Sequence, residues 1–272
     1  MKQLICLQDL IDIGCGLFPR AGRYVEKGLY RVGATRYSST RSLKQYATHT
    51  TARPGRVRIR ELARLETAVA RGKGVILWES PFGHPLLGKA TLIERGYSLI
   101  QVHGPEHGGS MSWVGQHVVK PFHRRISRRL FHEIVEINYQ SLAYLRQVDA
   151  RLKANQIVCI RAFGQAGQKF VTTPFKGGVA YVPTGIISLV RRTNSTLLGM
   201  FCYTEDGVDH LELSELFPMP GEDQEADPVA AIATRYLTKL GAMIDRHPEQ
   251  WWGVPERPSP GRNRAILNIE PE

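Results

Sequence analysis

The stretch "GVILWESPFGHPLLGK", residues 74–89, decides the fold of this chain. An apolar run from Gly74 to Trp78 meets a charge, a proline, a glycine and a histidine, and an apolar pattern with helical spacing then resumes. This order is typical of a buried strand that ends in a turn and leads into a helix. The turn is a candidate position for a functional site, because α/β proteins place their sites beyond the carboxyl ends of such strands.

Strand-like and helix-like patterns alternate along the chain on both sides of this stretch. Further strands are predicted at 97–104, 134–138, 156–163, 196–205 and 208–217, the last two joined by the turn signal "EDG". Helices are predicted at 59–74, 85–96, 141–155, 184–194 and 227–251. The Gly-rich segment 164–185 is interpreted as a site loop or a long connection. The alternation predicts an α/β fold with a mainly parallel, mixed sheet flanked by helices.

Three parts are predicted: a helical or irregular segment at 1–57, the α/β domain at 58–257 and an irregular tail at 258–272. No window holds 18 uninterrupted apolar residues, so no membrane-spanning helix is expected. The N-terminal segment has an apolar face that either packs on the domain or lies on a membrane surface. The net charge of +11 favours an anionic partner, such as a phospholipid surface or a phosphate-bearing substrate.

The cysteines and histidines do not predict a metal centre. The four cysteines include no C-x-x-C pair, which fits a reducing cytoplasm, and Cys159 and Cys202 are expected to be buried thiols. His103, Glu106 and His107 lie in a Gly-rich loop without further ligands close by. We therefore expect neither a metal nor a cofactor.

Glu79 and His84 are the first candidates for chemistry. A histidine with a near-neutral pKa can take a proton from an attacking hydroxyl or amine, and a carboxylate can orient its ring. His103, at the end of a neighbouring strand, is a third candidate. The alternative is structural: Glu79 pairs with a Lys or Arg, and His84 lies in the first turn of a helix.

The run "KPFHRRISRRLFH", residues 120–132, is strongly basic. On a helix Arg124 and Arg128 share one face, and guanidinium groups suit phosphates. The alternative is a solvated basic face. No motif that reads DNA or RNA accompanies the run, so a nucleic-acid partner is not expected.

Three segments occur in an order and spacing that resemble a known family: "RGKGVILWESPFGHPLLGKATLIERGY", "LKANQIVCIRAFGQAGQKFVTTPFKGGVAYVPTGIISLVRRTNSTLLGMF" and "RHPEQWWGVPERP". They resemble the lipid A biosynthesis (lauroyl/myristoyl) acyltransferases, within the lysophospholipid acyltransferase superfamily, over roughly residues 58–257. The resemblance implies a cytoplasmic α/β enzyme that rests on the inner face of the cell membrane. It implies acyl transfer from acyl carrier protein or coenzyme A to a hydroxyl or amine of a lipid or small-molecule acceptor.

The resemblance also implies an altered site. The family signature is a histidine, four residues and an acid; aligned on Phe82 and Gly83, these positions hold Pro81 and Leu86. One explanation is that Glu79 and His84 supply the acid and the base in reversed order, or that His103 is the base. The other explanation is a silent site that binds an acyl or lipid ligand or a partner enzyme. The candidate substrate-binding residues are Ser80, Arg124, Arg128, Lys176 and Gly177.

Overall fold

The computed structural model describes residues 57–80, 82–104, 127–138, 141, 143–162, 169–176, 178–215, 228–251 and 270–271. The chain divides into two compact units, residues 1–53 with 106–129 and residues 54–105 with 130–272. The first is described only at 127–129. The predicted N-terminal helix, most of the tail, and the predictions for Glu106, His107, Arg124 and Gly177 lie outside the described residues.

A seven-stranded sheet forms the centre of the second unit. Its strands are β1 (Arg58–Arg60), β2 (Val75–Glu79), β3 (Leu99–His103), β4 (Glu133–Glu136), β5 (Ile157–Arg161), β8 (Thr196–Glu205) and β9 (Val208–Glu215), in the order β1-β9-β8-β2-β5-β3-β4. Five adjacent strands, from β8 to β4, run parallel, whereas β9 is antiparallel to β8 and β1 is parallel to β9. The predicted α/β fold with a mainly parallel, mixed sheet is confirmed.

Helices cover both faces of this sheet. They are α1 (Leu62–Ala70), α2 (Pro85–Glu94), α3 (Ala143–Lys153), α4 (Gly185–Thr193) and α5 (Pro228–Arg246). Side chains of α3, α4 and α5 share one buried cluster with Trp78 and Phe201, and the ring of Tyr236 on α5 lies 4.5 Å from that of Trp78. Because successive strand residues point to opposite faces, Leu77 and Cys202 point away from this cluster.

Helix α2 packs very closely against the opposite face of the sheet. A Cβ atom added to Gly88 would lie 2.4 Å from Cys202 Sγ and 3.1 Å from Leu211. A glycine at this position therefore lets the helix backbone approach β8 and β9. This close approach brings the following residue, Lys89, onto the sheet.

Several segments differ from the sequence-based prediction: the final helix, predicted to reach residue 251, ends at Arg246, and the tail predicted to be irregular contributes a short strand. Residues 58–60 form the edge strand β1, and the first helix begins only at Leu62. Residues 58–60 form a strand because they pair in parallel with β9, as Arg58 does with His210, and this distant pairing leaves no signal in the local sequence. Residues 170–183, interpreted as loop, form the hairpin β6 (Phe170–Phe175) and β7 (Gly178–Pro183), joined in a small sheet by β10 (Glu270–Pro271).

Gly74, at the start of β2, is a point of close backbone approach. It has φ +76, and an added Cβ would lie 2.4 Å from the carbonyl oxygen of Leu152. Gly72 has a similar φ of +70 but open space around it. Both positions favour glycine for their backbone conformation, and only Gly74 requires it for space as well.

The pair provides a matched test of packing. We expect Gly72→Ala to lower the free energy of unfolding by about 1–2 kcal/mol, the cost of a left-handed alanine. Gly74→Ala should cost about 1–3 kcal/mol more, because the backbone of Leu152 must move. Urea unfolding of both variants measures the difference, and equal losses would contradict the close approach.

Candidate active site

The turn between β2 and α2 is fixed by backbone contacts on two sides. Gly83 has φ +55, and an added Cβ would lie 1.8 Å from the carbonyl oxygen of Cys202, so only glycine fits. The Gly83 N–H donates to the carbonyl of Gln250 at 2.8 Å. Helix α2 then begins at Pro85, as the sequence predicts, and His84 is its N-cap residue rather than part of its first turn.

The carboxyl ends of β2, β3, β5 and β8 meet at one edge of the sheet because these strands are parallel. Glu79 and Ser80 lie at this edge between two neighbours. The Ala162 N–H donates to the carbonyl of Glu79 at 2.8 Å, and both the N–H and the hydroxyl of Ser80 donate to the carbonyl of Met200 at 3.2 Å. The Ser80 hydroxyl is therefore turned into the sheet.

Glu79, Lys89 and Gln101 form a buried polar network. Lys89 Nζ donates to Glu79 Oε2 at 2.8 Å and to Gln101 Oε1 at 2.6 Å, and Gln101 Nε2 donates to Glu79 Oε1 at 2.9 Å. Each of the three residues is at most 4% exposed. The network joins the end of β2 to the middle of α2 and to β3.

The network determines what Glu79 can do. Both carboxylate oxygens accept hydrogen bonds, and the charge is compensated by the Lys89 ammonium. Removing a proton from a substrate would require Glu79 to give up part of this bonding in a buried setting, which is costly. The structure thus contains the strand-end ion pair that the sequence left open as the alternative, and it pairs Glu79 with Lys89 and Gln101 rather than with His84.

His84 is partly buried, and its electrostatic environment has two components. Burial lowers the pKa of its imidazole below the ordinary 6.5, and the negative charge of Asp209 opposes that shift. Asp209 Oδ1 accepts a hydrogen bond from Thr204 Oγ1 at 2.7 Å. His84 is therefore mainly neutral at pH 7 and lies in the field of a carboxylate, which are properties of a general base.

Asp209 was not found from the sequence. It lies one residue into β9, and the antiparallel pairing of β8 and β9 brings it to the carboxyl edge opposite Thr204. The only local signal is that it follows the turn signal "EDG" closely. Its closeness to His84, 125 positions earlier in the chain, comes from the sheet order.

The other predicted residues are more dispersed. His103 ends β3 and is buried, and β5 lies between β3 and β2 in the sheet. Lys176 has φ +52 at the turn of the β6–β7 hairpin and forms an ion pair with Asp245 on α5. Arg128 is exposed. His103 and Lys176 therefore lie on other elements than the turn that carries His84.

The structure also describes the cysteines and other side chains of the kinds that bind metals. Cys159 and Cys202 are buried thiols as expected, and burial raises the pKa of Cys202 to about 12. Within the described ranges, no three His, Cys, Asp or Glu side chains come together as a metal site would need. In the same ranges, every helix is too short or too polar to cross a bilayer.

The buried network gives a direct stability prediction. Lys89→Met leaves the Glu79 charge without its partner, so the free energy of unfolding should fall by about 3–5 kcal/mol. The control is Lys153→Met, which removes the ion pair of an exposed lysine with Asp149 and should cost about 0–1 kcal/mol. The double variant Glu79→Gln/Lys89→Met should recover part of the loss in chemical denaturation. Equal costs for the two single variants would contradict the network.

Comparison with known proteins agrees with this architecture. The family described as bacterial lipid A biosynthesis acyltransferase matches residues 40–254. No curated protein matches the chain. The matched range includes all strands of the seven-stranded sheet and the turn that carries His84. The family resemblance predicted from the sequence is confirmed, and with it acyl transfer in lipid biosynthesis as the general activity: the chain belongs to the bacterial lipid A biosynthesis acyltransferase family.

Proposed function

We propose that this protein transfers a fatty acyl group from a thioester of acyl carrier protein or coenzyme A to a hydroxyl or amine of a lipid or small-molecule acceptor. The single observation that carries the proposal is the position of His84. It lies just beyond the carboxyl end of a central strand, on a turn fixed by Gly83, with Asp209 nearby. The family of the chain supports acyl transfer as the reaction.

In this mechanism His84 is the general base. Its neutral imidazole takes the proton of the acceptor hydroxyl or amine, and the acceptor oxygen or nitrogen attacks the thioester carbonyl carbon. The carbon–sulfur bond of the resulting tetrahedral intermediate breaks, and the imidazolium returns the proton to the leaving thiolate. The Asp209 carboxylate stabilises the imidazolium between the two transfers.

Glu79 has a different role in this proposal from the one first expected. Its pairing with Lys89 suits a residue that fixes the position of α2 and therefore of His84. His103 remains the second candidate for the base. Ser80, Arg124, Arg128, Lys176 and Gly177 remain candidates for substrate binding, with the arginines suited to phosphate groups of a carrier or lipid. The basic net charge suits peripheral contact with the anionic inner face of the cell membrane.

The compensated charge of Glu79 favours a second candidate function. With proline and leucine at the family's signature positions and Glu79 paired to Lys89, the protein would bind an acyl donor or a lipid without turnover. This alternative predicts donor binding that His84→Ala leaves intact and no acyl product from the unaltered protein.

A transfer assay with labelled acyl donors tests the base. His84→Ala should lower kcat/KM by about 100-fold to 10,000-fold, the usual contribution of a general base. The matched control is His132→Ala, which removes an exposed histidine next to the amino end of β4 and should leave transfer unchanged. Full activity of His84→Ala would reject the assignment, and donor binding without any product would favour the second function.

The pH dependence of transfer tests the same residue independently. Because burial disfavours the protonated imidazole, the neutral base should persist below the ordinary pKa of 6.5. The acid limb of kcat/KM should therefore have its midpoint below 6.5, with activity falling as the pH decreases through it. Rates measured between about pH 4.5 and 8 locate this midpoint. A midpoint above 6.5 would argue for another base.

A further inference from the structure

Gln250 continues the hydrogen bonding of the sheet where β2 ends. Strand β8 extends from Thr196 to Glu205, whereas its pairing with β2 ends at Met200. Beyond that point the Gln250 side chain takes the place of a strand. Its Oε1 accepts from the Thr204 N–H at 2.8 Å, and its Nε2 donates to the Thr204 carbonyl at 2.6 Å. A primary amide can do this because it carries the same donor and acceptor as a peptide group.

The main chain at the same position holds the turn that carries His84. The Gln250 carbonyl accepts from the Gly83 N–H at 2.8 Å, and Trp251 forms an antiparallel bridge with Phe82. Residues 82 and 83 directly precede His84. One residue therefore contacts the turn through its backbone and the end of β8 through its side chain.

The end of β8 is connected to the second member of the proposed pair. Thr204, whose backbone groups bond Gln250, donates its hydroxyl to Asp209 at 2.7 Å. Asp209 acts electrostatically on the His84 ring. Gln250 is thus connected to His84 through Gly83, the preceding residue, and to Asp209 through Thr204.

We propose that Gln250 is a positioning residue, which holds the His84 turn and the Thr204–Asp209 pair at a fixed separation for acyl transfer. The inference rests on the proposed function for its catalytic consequence. Its structural part, the control of the His84 environment, is measurable without any substrate. The base keeps its low basicity and its orientation only while the turn and the strand end are held together.

NMR titration of the histidine side chains in Gln250→Ala tests the structural part, with the His84 signal assigned by its absence in His84→Ala. Without the side-chain hydrogen bonds to Thr204, the segment that bonds Gly83 separates from the end of β8 and water enters, so the His84 midpoint should rise towards 6.5. The matched control is Gln147→Ala, which removes an exposed glutamine of α3 and should leave the His84 titration unchanged.

Transfer kinetics test the catalytic part. Gln250→Ala should lower kcat by about 10-fold to 100-fold with little change in KM, as expected when a base is displaced without loss of substrate contacts. Gln250→Glu keeps the acceptor and the size but loses the donor when ionised, so its kcat should lie between those of Gln250→Ala and the unaltered protein. If Gln250→Ala does not fold, the His84 titration and the transfer kinetics are both measured on Gln250→Glu.

The outcomes separate the inference from the proposed function. If His84→Ala abolishes transfer while the Gln250 variants keep the kcat and the His84 titration of the unaltered protein, the inference is overturned and the proposed function stands. If the unaltered protein transfers no acyl group but Gln250→Ala shifts the His84 titration, the positioning of His84 is supported and the proposed function fails.

Discussion

The geometry of the site depends on the hydrogen bonds that the buried Lys89 ammonium donates to Glu79 and Gln101. A buried ammonium is tolerated only where charge and hydrogen bonds compensate its lost hydration. Here the Glu79 carboxylate oxygen, 2.8 Å from Lys89 Nζ, and the Gln101 amide oxygen, 2.6 Å from it, provide this compensation. Because the three partners come from β2, α2 and β3, the network fixes helix α2, which directly follows His84, relative to two strands of the sheet.

The tight packing of α2 allows this network to form. Gly88 lets the helix backbone approach Cys202 and Leu211, and Lys89 is the next residue along the helix. A larger side chain at position 88 would lift the helix from the sheet and lengthen the hydrogen bonds of Lys89. The polar network at Lys89 thus depends on the close packing at Gly88.

The turn after β2 is rigid, and the two acidic residues near it have different roles. The turn after β2 is held by Gly83 against Cys202 on one side and by Gln250 on the other. These contacts fix the backbone that leads into His84, which favours preorganised chemistry. The acid nearest the turn in sequence, Glu79, is held by the network, and the acid that acts on His84 comes from β9. In the proposed mechanism the base and its carboxylate therefore come from distant parts of the chain.

The sequence by itself determined the alternation of strands and helices, the α/β class, the start of α2 at Pro85, the buried thiols and the family. These follow from local periodicity, from turn residues and from motifs in a fixed order, which a linear chain displays directly. Only the tertiary structure decided that β1 is a strand, that Lys89 is the partner of Glu79, and that Asp209 and Gln250 lie around His84. The physical reason is that these contacts join residues through sheet order and helix packing, and the free energy that selects them depends on burial and charge compensation in the folded protein.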